Sequence, residues 1–329
     1  MRCAVLHLLV CVAALTPAAC GGSARPPAPT DRYAEAHWQD VFDTTPELLV
    51  VVRPQALRKD KVYGPLMRRA MEVARERSRV VASTRALDAM EDAEEVIVGV
   101  RPDTPDHPGE LVLVERGVRS DVDPGKLVDA EGRALWAPGP GGRVRELVRE
   151  RDEHGATIAA SLFELPGRTW VVVSGDARAR AREAFAHPFD RPALDLDPNA
   201  LAIVRIDGTS LVARVPALKD LGRLGAVGRR LGSVTLTLPP GGEGAVRAAL
   251  TYQDEDAAAF AEVTLREAID ALARAKPERL AWLGSARVER PDKRVILTAP
   301  LPPHLVDALL HAGSAPLDAE MGAAPPTRP

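Results

Sequence analysis

The sequence predicts an α+β protein, with two similar antiparallel sheet-plus-helix units in tandem over residues 43–190 and 196–312. Three observations predict it. From residue 43 onward, short apolar β-branched runs alternate with segments whose apolar residues fall at helical spacing. The order strand, helix, hairpin, helix, hairpin, helix then occurs twice, although the two halves share little residue identity. Between them lies Pro188–Pro198, with Pro192 inside it, a composition suited to a boundary. Each unit is expected to lay its helices on one face of its own sheet.

In the first unit, Leu48–Arg53 is an apolar run closed by Pro54 and reads as a strand. A helix is expected from Leu57 to Ser78, because Tyr63, Leu66, Met67, Ala70, Val73 and Ala74 share one face. Glu95–Arg101 and Glu110–Gly117 read as a strand pair across the Pro- and Asp-rich stretch Pro102–Gly109. Asp123–Asp129 reads as a short helix. Thr157–Glu164 and Arg168–Ser174 make a second pair across Leu165-Pro166-Gly167, and Asp176–His187 closes the unit as a helix.

The second unit follows the same order. Ala200–Ile206 is a strand and Ser210–Leu231 a helical stretch. Ser233–Leu238 and Ala245–Gln253 form a hairpin across Pro-Pro-Gly-Gly-Glu-Gly. Asp254–Ala275 is a long helix with Asp254, Glu255 and Asp256 at its positive N-terminal end. Leu280–Glu289 and Arg294–Ala299 pair across Arg290–Lys293, Pro303–His311 is a helix, and residues 313–329 read as a disordered tail.

With 329 residues, 46% apolar and 27% charged, the chain is long enough for two domains and a sizeable core. A net charge of −3 gives no global reason to bind nucleic acid. The 37 Arg against 6 Lys are read as coding bias.

The N-terminus carries the most specific signal. Arg2 precedes an apolar stretch from Cys3 to Leu15, followed by Thr16-Pro17-Ala18-Ala19-Cys20. At ~1.5 Å per residue that stretch spans roughly 20 Å, short of the ~30 Å membrane core, so an export signal fits better than a transmembrane helix. All three cysteines lie at positions 3, 11 and 20, so the exported body has no partner for a disulfide. Ala18-Ala19-Cys20-Gly21 resembles the lipobox of bacterial lipoproteins, with Pro17 standing where that family places an aliphatic residue. The resemblance implies removal of a signal peptide over 1–19 and acylation of Cys20. It also implies a flexible, lipid-anchored tether over 20–42. The alternative is a secretory signal cut between Ala18 and Ala19, leaving Cys20 as a free thiol. In Gram-negative lipoproteins an Asp after the Cys commonly retains the protein in the inner membrane. Gly21 in its place points to a periplasm-facing or surface location at the outer membrane. The whole-chain order resembles lipoproteins of high-GC Gram-negative bacteria whose paired units have no assigned chemistry, and it carries over no functional residue except Cys20.

Motifs of chemistry are sparse. Ser174 stands between a strand and a helix without a G-x-S-x-G motif, so helix capping by Ser174 or Asp176 competes with nucleophilic catalysis and is the preferred reading. His37, His107, His154, His187, His304 and His311 are scattered and never spaced i, i+4. Asp195-x-Asp197-x-Asn199 and Asp121-x-Asp123 begin like calcium loops but lack the later Gly and Glu, and read as turns. Gly139-Pro140-Gly141-Gly142-Arg143 lacks the Lys-Ser/Thr of a phosphate loop. Gly222, Gly225, Gly228 and Gly232 are read as close packing within a helical stretch.

Asp88, Glu91, Asp92, Glu94 and Glu95 read as a solvated acidic face. Arg178, Arg180 and Arg182 with Arg143, Arg145, Arg149 and Arg151 read as an ordinary charged surface diluted by interleaved acids. The sequence therefore predicts a membrane-anchored envelope lipoprotein, non-enzymatic and without cofactor or metal. It would bind or support an envelope protein partner. The alternatives are a periplasmic hydrolase with an unrecognised site and a carrier of apolar ligands.

Overall fold

The structure is a computed structural model. It describes residues 18–19, 36–42, 46–65, 67–68, 92–102, 109–118, 121–128, 133–150, 159–186, 194, 196–214, 222–240, 245–275 and 281–300. The predicted helix Pro303–His311, the tail and most of the helix expected over 57–78 lie outside the described residues.

The fold is mixed α/β, dominated by one antiparallel sheet of twelve strands. A two-residue strand β1 (Ala18–Ala19) pairs separately with β5 (Leu127–Val128). The large sheet begins with β2 (Leu48–Val52), β3 (Glu95–Arg101) and β4 (Glu110–Arg116). It continues through β6 (Ala137–Pro138), β7 (Arg145–Arg149), β8 (Ala160–Leu165) and β9 (Thr169–Ser174). The second half supplies β10 (Ala202–Asp207), β11 (Leu231–Leu238), β12 (Ala245–Tyr252), β13 (Arg287–Glu289) and β14 (Arg294–Pro300). Their spatial order is β13-β14-β12-β11-β10-β2-β3-β4-β9-β8-β7-β6. The expectation of a separate sheet in each unit is thereby corrected. β10 pairs antiparallel with β2, Val204 opposite Val50, and joins the two sets of strands into one surface. Leu48–Val52 is wholly apolar, and its Leu49 and Val51, with Ile203 of β10, are buried on one side of the joint.

Helices also cover both faces rather than one. α1 (Pro54–Lys59) follows β2, α2 (Ala177–Ala186) follows β9, and α3 (Gly208–Arg214) follows β10. α4 (Arg223–Val227) precedes β11, and α5 (Glu255–Ala275) connects β12 to the last hairpin. On one face, the α2 face, Ala177, Ala181 and Phe185 pack with Leu49, Val51, Ile97, Val114 and Phe163. On the other, the α5 face, Val118, Leu127 and Trp136 cover Val98, Leu113, Leu162 and Trp170 in the first half. There Ala258 and Ala261 of α5 cover Leu231, Tyr252 and Val295 in the second half.

Most predicted strands stand where the pattern puts them, with Glu95–Arg101 matching at both ends. Five expectations change. The helix expected from Leu57 is interrupted, since α1 ends at Lys59 and residues 61–63 form a turn. Residues 38–41, placed in the tether, form a 3₁₀ turn whose Trp38 and Val41 are buried in the α2-face core, so the body starts before residue 43. Asp123–Asp129 is a 3₁₀ turn at Pro124–Lys126 running into β5. Within Ser210–Leu231 the described residues form two short helices, and Gly222, just before the second, takes φ +56°, a positive value that suits glycine. Leu280–Glu289 is a 3₁₀ turn at Ala281–Ser285 followed by only three strand residues, and β6 and β7 were not foreseen. No described helix is long and apolar enough to cross a membrane.

Leu49 and Leu236 offer a contrast in stability, since Leu49 is fully buried beside the joint and Leu236 is 39% exposed. Leu49→Ala is expected to cost ~2–5 kcal/mol by urea unfolding and Leu236→Ala under ~1 kcal/mol.

Candidate functional site

Alternation along each strand sorts the charged side chains onto the two faces. In the first half, the α2 face carries a lattice of paired charges. Glu95 accepts from Arg53 at 2.9 Å and Arg116 at 2.6 Å, and Arg116 lies over the Trp38 ring at 5.9 Å. Arg53 also donates to the carbonyls of Asp197 and Ala200, and its backbone N–H bonds Leu201 O at 2.9 Å, tying the start of the second half to the end of β2. The interleaved arginines of α2 all reach carboxylates. Arg178 meets Glu150 at 2.9 Å, Arg180 grips Glu110 with both terminal nitrogens at 2.6 and 2.7 Å, and Arg182 meets Glu146 at 2.7 Å. These residues form a clamp between helix and sheet instead of an open charged surface. Glu95 likewise leaves the acidic run read as solvated: it is 7% exposed, while the Glu94 side chain is 63% exposed.

The other candidates fall into structural settings. Ser174 ends β9 and its Oγ accepts the Leu111 N–H at 3.2 Å, a bond to the neighbouring strand and not to the start of α2. Between them Gly175 takes φ +63°, and a Cβ there would stand 2.7 Å from Gly109 O. His37 Nδ1 accepts the Gln39 N–H at 3.2 Å, and burial holds its pKa below the ordinary value. The remaining five histidines, together with Arg151, Asp195 and Cys20, lie outside the described residues. Asp123 and Asp197 each accept a backbone N–H two residues on, from Gly125 and Asn199, as Asx turns do. Among the described residues no group of His, Cys, Asp or Glu is placed to hold a metal ion.

Three features escaped the reading of the chain. The first is Glu115, which lies on the α5 face between Val96 and Trp170 in the cross-strand register, 3% exposed. Burial raises its carboxyl to about pKa 7. The second is an apolar strip across the joint on the same face. Leu111, Val100, Leu48, Ile206 and Val234 stand in one cross-strand row, with Leu113, Val98, Val50, Val204 and Leu236 in the next. Most of these are only half-buried. The third is the α2 face of the second half, where Arg205, Arg247, Arg287 and Arg294 stand among Thr235, Thr237, Thr251 and Thr298 and around the buried Ile296. Among the described residues these four arginines make no ion pair or side-chain hydrogen bond, and all but Arg205 are exposed. Signals for the strip and the arginines exist as alternation within Leu231–Leu238 and Arg294–Pro300, but they converge only once the strand order is known.

A shallow, partly open groove on the first half's α2 face is lined by Val41, Phe42, Gly99, Arg101, Glu110 and Arg180. Its volume of about 10 Å³ holds little more than one water molecule, far below that of a small-molecule site, and Glu110 and Arg180 hold each other within it.

What these features define is a mixed α/β protein whose ionisable groups mostly hold helix to sheet. No protein-family model and no curated protein matches the chain. A solved structure titled crystal form I of TP0453 is similar over 85% of this chain and 99% of that chain, at 12% identity and a TM-score of 0.46. No residue role is carried over from it.

Glu115 sets a pH dependence. The folded carboxyl keeps its proton to about pH 7, whereas the unfolded one releases it near the ordinary value of 4.5. The native state therefore binds more protons over that window, and stability falls as pH rises through it, by on the order of 3 kcal/mol from this group. Glu115→Gln is expected to remove this loss, so urea unfolding should find the variant more stable than the native protein at about pH 8 and similar at about pH 4. An unchanged pH profile would refute the assignment.

Proposed function

We propose that this chain is a lipid-anchored protein of the bacterial cell envelope whose body is a non-enzymatic binding or structural module. The observation that carries the reading is Cys20, the last thiol of the chain, placed directly behind Ala18-Ala19 at the end of a short apolar stretch. Acylation there would anchor the body durably, since each buried methylene is worth ~0.8 kcal/mol and more than one chain is attached. Support for a module of two duplicated α+β units comes from strand order. Outward from the joint, β2-β3-β4-β9-β8 and β10-β11-β12-β14-β13 follow the same course in chain order. The structural pairing of the arginines of α2 and the strand-to-strand bond of Ser174 favour binding over hydrolysis.

Labelling cells with a radioactive fatty acid tests the anchor: the native protein should take up label and Cys20→Ala should not. Label on Cys20→Ala protein, or an unmodified Cys20 thiol by mass spectrometry, would sink the reading.

A second reading, carriage of an apolar ligand, is favoured by the half-buried strip across the joint on the α5 face. A fluorescent polyene fatty acid should then bind the native protein, and Leu236→Glu should weaken it by roughly tenfold or more, the effect of placing a charge against an apolar surface. Equal binding by both proteins would remove this reading.

A further inference from the structure

We infer that the α2 face of the second half docks flat on an anionic phospholipid surface, with Arg205, Arg247, Arg287 and Arg294 meeting lipid phosphates. The inference deepens the lipid-anchor reading and rests on it.

The first argument is the distribution of charge. Elsewhere in the second half, Arg223 pairs with Glu267, Arg230 with Asp254, and Arg266 and Arg290 with Glu262. In the first half, the arginines that meet this face are paired as well, Arg53 and Arg116 on Glu95 and Arg101 and Arg180 on Glu110. Four guanidinium groups that have no partner among the described residues therefore gather on one sheet face. Asp207 and Glu289 are the acids on the same face of these strands, and Asp207 already accepts the Ser210 N–H at 2.9 Å.

The second argument is shape. Arg247 and Arg287 stand in one cross-strand row on either side of Thr298. They are thus two strands apart, about 10 Å at ~4.8 Å per strand. Arg205 lies in the next row and Arg294 in the one beyond. Charges spread over a sheet suit a planar partner more than a pocketed ligand. Arginine also suits phosphate, which its planar fork can meet with two hydrogen bonds.

Each arginine held at an anionic leaflet favours the docked state by about fivefold.

The absence of any cysteine after Cys20 makes the test direct. A single cysteine at Thr298→Cys on the docking face, or at Val263→Cys on the exposed side of α5, carries a nitroxide label in the full, acylated protein. Proteins are reconstituted in vesicles of phosphatidylcholine and phosphatidylglycerol containing a lipid with a nickel-chelating headgroup. The label at 298 should be relaxed by nickel several-fold more strongly than the label at 263. High salt, vesicles without phosphatidylglycerol, and Arg247→Glu with Arg287→Glu should each abolish the difference. The salt and lipid arms use no charge-reversal variant, so they stand even if that variant misfolds. Equal or reversed relaxation, with Cys20 shown to be acylated by mass, overturns the docking face alone. A Cys20 without acyl chains overturns the anchor and the docking face together.

Discussion

The fold depends on the antiparallel joint between β2 and β10. Five registered pairs, from Ala202 opposite Val52 to Ile206 opposite Leu48, unite strands about 150 residues apart in the chain. The contact continues beyond the ladder: Asp207 N bonds Glu47 O at one end, Arg53 N bonds Leu201 O at the other, and Ser210 Oγ donates to Glu47 at 2.7 Å. Because every inner backbone group is paired across it, neither half presents an open edge at the centre of the molecule. The cost of separating the halves includes those backbone groups as well as the apolar surface of Leu49, Val51 and Ile203. Neither half can therefore be treated as an independent domain on the strength of its element order.

Charge serves different ends in the two halves. In the first, α2 is short and has few apolar residues beyond Ala177, Ala181, Ala184 and Phe185. Its three arginines add directional contacts to Glu150, Glu110 and Glu146, which fix the helix over the sheet where apolar packing alone would allow it to slide. These pairs are partly exposed, so their value is positional more than energetic. In the second half, α5 holds its place chiefly by small residues, with Ala258 and Ala261 fully buried against the strands. Its ion pairs run outward to α4 and to the hairpin of β13 and β14.

Local pattern was a good guide to the strands and a poor one to their assembly. Glu95–Arg101 and Glu110–Arg116 were legible because charged residues bracket apolar runs and a Pro-rich turn joins them. The β2–β10 pairing was not, because Leu48–Val52 is apolar on both sides and Ala202–Ile206 is so except for Arg205, so that many registers would fit. Trp38–Val41 was hidden by its short length and by the Pro-rich stretch before it. Leu280–Gly284 is apolar enough to read as strand, but the chain turns there between α5 and β13. Among functional candidates, the arginines of α2 were visible as a group, yet their carboxylate partners come from β4, from β7 and from the residue after β7. Glu115 stands near the charged end of its strand and looks like a surface residue until Val118, Leu127 and Trp136 are seen to build a core on its face of the sheet.

The outermost strands of the sheet have a consequence for solubility at high concentration. An open antiparallel sheet invites further strands at both margins, and a twelve-stranded one has a long hydrogen-bonding front. Here one margin is β6, two residues long and ending in Pro138, which has no N–H to offer. The other is β13, three residues long, with Arg287 and Glu289 flanking Val288 and Pro291 soon after. Each margin is too short and too charged, or too poor in donors, to recruit the margin of another molecule. The sheet is thereby a terminated structure, resistant to fibril growth when molecules are crowded together.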